Sequence, residues 1–315
     1  MTTLYITHKA CKKHKNGPSH PESPERLTTI EAALDHEDFA ALTRKAGTKA
    51  KSDLFTLVHP QNYVSLIKNA RPDEGEDESY VHIDPDTAMN THTWPALRGA
   101  VGAAIEAVDA IMKNQHENAF VAIRPPGHHA ETARACGFCI FNIIAIAAIH
   151  ARRTHGAERV AVIDFDVHHG NGTQDIFWSD KNLFYGSTHQ MPLFPGTGAI
   201  GETGVGNICN APLSAGDGSE QFKAAMQDRI IPALKNFSPD LILLSAGFDA
   251  HINDPLAGLN LREEDFAWIT REMLTIASKH TNGRLVSILE GGYHLQSLGS
   301  SVAAHVKELM TASSR

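Results

Sequence analysis

The chain has 315 residues, a formal net charge of −8 at pH 7, 42% hydrophobic residues and 20% charged residues. That balance supplies a sizeable core and lacks the biased tracts of a disordered chain. An acidic chain also argues against nucleic-acid binding, which needs a basic field.

Leu4 to Thr7 reads as a first short strand. Lys9 to Lys15 is a local basic cluster, read as a solvated loop more readily than as a polyanion patch. Lys9 to Arg26 as a whole carries Pro18, Pro21 and Pro24 and reads as loop. Ser23-Pro24-Glu25 then gives a helix start, with proline at the first helical position, and the helix is expected to run to about His36. Leu54 to Val58 reads as a strand, Asp73 to Glu78 as an acidic solvated loop, and Ala119 to Ile123 as a strand. Phe141 to Arg153 reads as a helix and Arg159 to Phe165 as a buried strand. Leu183 to Ser187 is the next strand, Gln221 to Lys235 an amphipathic helix, and Leu241 to Ser245 a strand. Glu263 to Ser278 is a helix, Leu285 to Leu289 a strand, and Leu298 to Met310 a helix. Such alternation predicts an α/β fold with a mostly parallel sheet covered by helices on both faces. No repeat or linker divides the chain, so residues 1–315 are expected to form one domain.

The four cysteines, Cys11, Cys136, Cys139 and Cys209, are too few for a disulfide scaffold. Cys136 and Cys139 form a lone CxxC, read as small buried thiols rather than a zinc knuckle or redox pair. No N-terminal apolar segment or uninterrupted run of about 18 apolar residues is present. The expectation is a soluble cytoplasmic protein with reduced thiols, no membrane partner and no nucleic-acid partner.

Polar motifs sit where apolar strands stop: after Ile123, Ile163, Leu244 and Leu289. In open parallel sheets, ligands bind beyond the carboxyl ends of the strands. Alternate residues share a face, so Asp164, Asp166 and His168 can point together. Unpaired carboxylates and imidazoles are costly there, and they are a ligand set that zinc or ferrous iron accepts. Asp166, His168 and Asp249 are assigned as metal ligands, leaving coordination positions free for a catalytic metal that polarises a carbonyl and acidifies water. Asp249 is also readable as a helix cap, and Asp254 competes as a ligand, although Pro255 after it suggests a turn. His128 and His129 follow Pro125-Pro126-Gly127, an irregular loop able to aim both inward as general base and general acid. Asp164 and Asn171 are candidates to orient them. Tyr293, after Gly291 and Gly292, is a candidate oxyanion donor. Phe138, after Gly137, and Phe194, before Pro195-Gly196, are candidate walls of an apolar tunnel.

These segments together resemble the metal-dependent histone deacetylase superfamily, which includes acetylpolyamine amidohydrolases. The motifs are Arg124-Pro-Pro-Gly-His-His-Ala130, Asp164-Phe-Asp-Val-His-His-Gly-Asn-Gly-Thr173, Phe194-Pro-Gly-Thr-Gly198, Ser245-Ala-Gly-Phe-Asp249 and Glu290-Gly-Gly-Tyr293. The likeness runs from about Thr7 to Leu298, and Asn171 resembles the class II branch. The resemblance implies an arginase/deacetylase α/β fold with an eight-stranded, mainly parallel sheet. It implies zinc on Asp166, His168 and Asp249, with ferrous iron as the alternative. His128 and His129 become the catalytic pair, backed by Asp164 and Asn171, with His129 as the base toward water. Tyr293 becomes the carbonyl-polarising tyrosine. Asn171 is neutral and should favour uncharged His129 more than an aspartate would. Gly137, Phe138, Phe194 and Leu256 fall on the substrate tunnel, and Asp84 or Asp86 on its rim. Structural potassium is implied near Asp164, Asp166, His168, Ser187 and Thr188, and a second monovalent site at backbone oxygens near Phe177, Asp180 and Leu183.

The implied activity is removal of acetyl or short acyl groups from lysine side chains of peptides or proteins. An acetylated polyamine or other small amine is the alternative substrate; Leu256, apolar where a polyamine-specific branch carries an acidic gatekeeper, favours acyl-lysine. A catalytically weak acyl-lysine binding module would lack the tyrosine that is present here. A two-metal hydrolase of the arginase type would need more carboxylates at the strand ends. Oligomeric state stays open.

Overall fold

The computed structural model describes residues 2–70, 72 and 79–312. The acidic run from Asp73 to Glu78 lies outside the described residues. Among the described residues ten strands form: β1 (Thr3–Thr7), β2 (Thr43–Ala46), β3 (Val81–Asp84), β4 (Thr87–Met89), β5 (Asn118–Ala122), β6 (Val160–Asp164), β7 (Leu183–Gln190), β8 (Ile208–Leu213), β9 (Leu241–Ala246) and β10 (Leu285–Leu289). The helices are α1 (Glu25–Leu34), α2 (Gln61–Asn69), α3 (Thr93–Met112), α4 (Ile143–His155), α5 (Asn171–Phe177), α6 (Ser219–Ala225), α7 (Ile231–Phe237), α8 (Glu263–His280) and α9 (Leu295–Ala312).

Eight strands make one sheet in the order β2-β1-β5-β10-β9-β6-β7-β8, and every neighbouring pair is parallel. β3 and β4 form a separate antiparallel hairpin. Strands β5, β6, β9 and β10 are buried at every residue, as parallel strands covered on both faces must be. α1, α8 and α9 pack together, α3 packs on α4, and β5 touches both α3 and α9. Among the described residues, no helix is long and apolar enough to cross a membrane.

Local chemistry sets the helix ends. The Asn142 side-chain oxygen accepts the Ala145 N–H at 3.0 Å and so caps α4. Gly156, at φ 70°, ends the same helix in the left-handed conformation. The expected helix from Gln221 to Lys235 forms as α6, one wide π turn over Met226–Ile230, and α7.

Leu54 to Val58 is not a strand. Ser52–Leu57 forms a 3-10 helix, because Phe55 is buried against Trp94 and Phe141, with ring centroids 5.3 and 4.6 Å away. The segment from Lys9 to Arg26 is also less loop-like than expected. Lys9–Lys13 is a 3-10 helix, Lys12 pairs with Glu31, and His14, Asn16 and Glu22 are buried. Only part of the basic cluster therefore faces solvent.

Candidate active site

The four expected strand ends belong to β5, β10, β9 and β6, which are consecutive neighbours in the middle of the sheet. Their carboxyl-end loops carry His128 and His129, Glu290 to Tyr293, Asp249, and Asp166 with His168, so residues far apart in sequence meet over the sheet centre.

Asp166, His168 and Asp249 come together, all buried, with ligand atoms within 4.8 Å of one another. Strand β6 stops at Asp164, one residue earlier than expected, and strand alternation is not what aims Asp166 and His168. Instead Asp164 Oδ1 accepts the Asp166 N–H at 3.1 Å, and Asp166 Oδ1 accepts the His168 N–H at 2.9 Å. His168 Nδ1 then lies 3.2 Å from Asp166 Oδ1 and 3.1 Å from Asp249 Oδ2. Burial and the neighbouring Asp166 carboxylate push Asp249 up to about 7. Burial opposes charge on His168, but its hydrogen bonds to Asp166 and Asp249 prevail and hold it up at about 10. Two buried carboxylates and an imidazole nitrogen converging this way fit a divalent cation, which would balance their charge.

Glycines permit the close approach. A Cβ on Gly291 would sit 2.1 Å from Asp249 Oδ2, and one on Gly247 would sit 2.1 Å from Asp166 Oδ2.

The adjacent histidines do both point inward, with ring centroids 4.1 Å apart. His128 Nδ1 lies 3.0 Å from Asp164 Oδ2, and that oxygen also accepts the Tyr185 hydroxyl at 3.0 Å. His129 Nδ1 lies 2.8 Å from Asn171 Oδ1. The two rings are driven in opposite directions. Burial works against charge on His128, yet Asp166 and Asp164 carry it well above the usual imidazole range. Burial and the neighbouring His128 and His168 hold His129 well below that range.

Tyr293 is half-buried, and its phenol is pushed well up by desolvation and by Asp249. Its backbone N–H donates to Asp254 Oδ2 at 2.7 Å, and Leu256 N–H donates to Asp254 Oδ1 at 3.1 Å. Asp254 thus clasps the tyrosine loop and is not among the clustered donors, in keeping with its expected turn role. The Phe194 ring lies 5.1 Å from the His129 ring and is 42% exposed, which leaves its outer face to a ligand. Phe138 lies 5.8 Å from the Tyr293 ring. Gly137 and Phe138 form the tip of a tight turn at φ 55° and 66°, closed by paired backbone hydrogen bonds between Cys136 and Cys139. Both cysteines are buried free thiols, raised by desolvation, Cys136 to about 11.

Asp84 and Asp86 are half-buried at the β3–β4 turn. Thr87, next to Asp86, accepts the Phe138 N–H through its hydroxyl at 3.0 Å, which ties this hairpin to the aromatic turn. Burial and Asp86 raise the Asp84 carboxyl.

For the first monovalent site, β6–β7 register sets Asp164 opposite Ser187, next to Thr188. At the second expected site the three carbonyls gather around one side chain. The Asn207 amide nitrogen donates to the carbonyls of Phe177, Asp180 and Leu183 at 2.8, 3.1 and 2.7 Å. Asn207 Oδ1 accepts the Val205 N–H at 3.1 Å, which fixes the amide's orientation. Those three carbonyls therefore converge on one point, now faced by the Asn207 side chain.

Several supporting residues were given no role by the sequence. Glu290 Oε2 accepts the Gly127 and His128 N–H groups at 2.7 and 3.1 Å, although burial pushes its carboxyl up to about 7. Arg26 donates to the Gly292 carbonyl at 2.6 Å and lies over the Tyr293 ring, 5.0 Å from its centroid. Glu22, wholly buried, pairs with both Arg124 and Arg26, and burial is outweighed by Arg124 in holding its carboxyl low. His20 packs edge-on against Phe138 at 4.5 Å.

A family model described as the histone deacetylase domain matches residues 20–309. The chain is 39% identical over 319 residues to "Histone deacetylase 10, chloroplastic" of Oryza sativa subsp. japonica, covering 95% of this chain and 71% of that one. It is 37% identical over 305 residues to "Polyamine deacetylase HDAC10" of Homo sapiens, covering 92% and 44%. The crystal structure of the HDA15 HD domain matches with a TM-score of 0.91 at 32% identity, covering 98% of this chain and 88% of that one.

Proposed function

The chain belongs to the histone deacetylase family, and from that premise we propose that it is a metal-dependent amidohydrolase removing acetyl or other short acyl groups from lysine side chains of peptides or proteins. The observation that carries this reading is the buried Asp166–His168–Asp249 cluster beside two histidines of opposite proton affinity.

Asp166, His168 and Asp249 would hold the cation, zinc or ferrous iron. When bound, it supplies Lewis acidity toward the acyl carbonyl and acidifies water. The remaining work falls to the protein. His129 is kept neutral, with Nδ1–H donating to Asn171, so Nε2 is free to take a proton from water. His128 is kept charged by Asp166 and Asp164 and delivers a proton to the departing amine. Tyr293 keeps its hydroxyl proton and donates it as a hydrogen bond to the developing oxyanion. Phe138 and Phe194 flank the apolar stem of an acyl-lysine, with Gly137 and Leu256 beside them, and Asp84 or Asp86 receives the substrate backbone. Potassium fits the proposal near Asp164, Asp166, His168, Ser187 and Thr188. Free thiols at all four cysteines support a reducing compartment such as the cytoplasm.

A second reading is deacetylation of an acetylated small amine. The paired carboxylates Asp84 and Asp86 favour it, since they would attract a polycation. Leu256 beside the Asp254 clasp favours acyl-lysine. A panel of acyl-lysine peptides of increasing acyl length, run beside N-acetylputrescine with Tyr293→Phe as control, decides between them. Turnover of the peptides supports the proposal, and turnover of N-acetylputrescine alone replaces it with the second reading.

A further inference from the structure

Asp109, His150 and His155 gather at the far end of the molecule from the candidate active site. Asp109 lies in the last turn of α3, which leads to the start of β5. His150 and His155 lie in the last two turns of α4, which leads to the start of β6. Both helices thus end at the amino edge of the sheet, whereas the catalytic loops leave its carboxyl edge.

His150 Nε2 and His155 Nε2 each lie 2.7 Å from the same oxygen, Asp109 Oδ1. The two rings are 5.7 Å apart and inclined at 75°, so their nitrogens approach that oxygen from different directions. All three ligand atoms fall within 4.8 Å of one another. Side-chain exposures of 10%, 11% and 31% for His150, His155 and Asp109 leave the cluster in partial reach of solvent, chiefly at the carboxylate. Lys113 approaches the other carboxylate oxygen, Oδ2, at 3.8 Å and leaves Oδ1 to the histidines.

We propose that Asp109, His150 and His155 form a second divalent-metal site, taking a late first-row cation such as Zn2+ and tying α3 to α4. Two imidazoles and one carboxylate are a borderline donor set of the kind Zn2+ accepts, with water completing the coordination. The site also has an outer partner. His150 Nδ1 faces the Thr154 hydroxyl at 3.3 Å. When Nε2 binds a cation, the ring proton resides on Nδ1 and donates to Thr154 Oγ1, which fixes the ring's orientation. The competing description is a carboxylate receiving two N–H hydrogen bonds, with no affinity for metal.

The test counts zinc per chain by mass spectrometry after dialysis of the full-length protein against buffered micromolar free Zn2+. The proposal expects two equivalents in the native chain. It expects one in His155→Ala, one in Asp109→Asn and one in Asp249→Asn, which disables only the catalytic cluster. His155→Ala should keep its rate of deacetylation and its far-ultraviolet circular dichroism. Cu2+ bound to Asp249→Asn should show electron paramagnetic resonance couplings from two imidazole nitrogens, lost in the added presence of His155→Ala. Two outcomes overturn the proposal: an Asp249→Asn chain that holds no zinc at saturation, or a second equivalent that survives both His155→Ala and Asp109→Asn.

Discussion

His129 turns its Nδ1 to the side-chain oxygen of Asn171, 2.8 Å away. The amide's orientation is set from its other end, where Asn171 Nδ2 donates to Glu131 Oε1 at 2.8 Å. The ring nitrogen facing Asn171 must therefore carry the proton, and the far nitrogen is left basic. His128, one residue earlier, has the Asp164 carboxylate at the equivalent position. Asp166 and Asp164 raise His128, while burial and the neighbouring His128 and His168 lower His129, so two adjacent imidazoles have opposite proton affinities.

Asn171→Asp should narrow that distinction. A carboxylate beside His129 stabilises the imidazolium and raises its pKa. The base works only when neutral, so the acidic limb of kcat/KM should move to higher pH, by about 1 unit. A pH–rate profile checks this, and an acidic limb unmoved from that of the native enzyme would count against His129 as the base.

Tyr293→Phe removes a hydroxyl that its surroundings keep protonated. Loss of a single oxyanion donor costs roughly 100- to 1,000-fold in kcat. Metal content should be unchanged, since the phenol is not among the clustered donors. Asp254→Ala should lower kcat in the same direction by loosening the backbone at Tyr293. Steady-state kinetics with metal analysis separates these effects from loss of the ion.

Gly291→Ala should cost the catalytic metal. The new Cβ would lie 2.1 Å from Asp249 Oδ2, closer than a carbon and oxygen can approach, so the carboxylate must move. Gly201→Ala, where no atom lies within 4 Å, is the matched control. Metal content per chain should fall in the first and hold in the second.

Asn207→Ala should destabilise the fold by about 1–3 kcal/mol, because three carbonyls lose their shared donor. It also opens a space ringed by carbonyl oxygens, so the variant's urea midpoint should rise when Na+ is replaced by K+. The native protein should gain less from that exchange. Equal midpoints for native and variant proteins in both salts would refute this role for Asn207.

Much of the site was legible because its chemistry is written at four strand ends. The residues after Ile123, Ile163, Leu244 and Leu289 meet because β5, β6, β9 and β10 are sheet neighbours. Sheet order explains what was not legible. Glu290 reaches the His128 N–H across 162 residues, and Arg26 reaches the Gly292 carbonyl across 266. No local pattern announces such partners. Helix α3 was missed because Gly99 and Gly102 interrupt its pattern. A Cβ on Gly102 would meet the Thr48 carbonyl at 1.8 Å, so tertiary contact dictates glycine there. Strand β8 escaped notice for a related reason, since Pro212 is tolerated only because β8 lies at the sheet's edge. Leu54 to Val58 has a strand's composition, yet Phe55 is drawn into an aromatic cluster with Trp94 and Phe141.

Removal and return of the ion tests the central claim most directly. The native protein and Asp249→Asn are stripped by a chelator, verified metal-free, and assayed on an acetyl-lysine peptide before and after addition of Zn2+ or Fe2+. The account predicts that native activity disappears on stripping and returns with the ion, while Asp249→Asn stays inactive throughout. A verified metal-free protein that still hydrolyses the peptide at the untreated rate would contradict it.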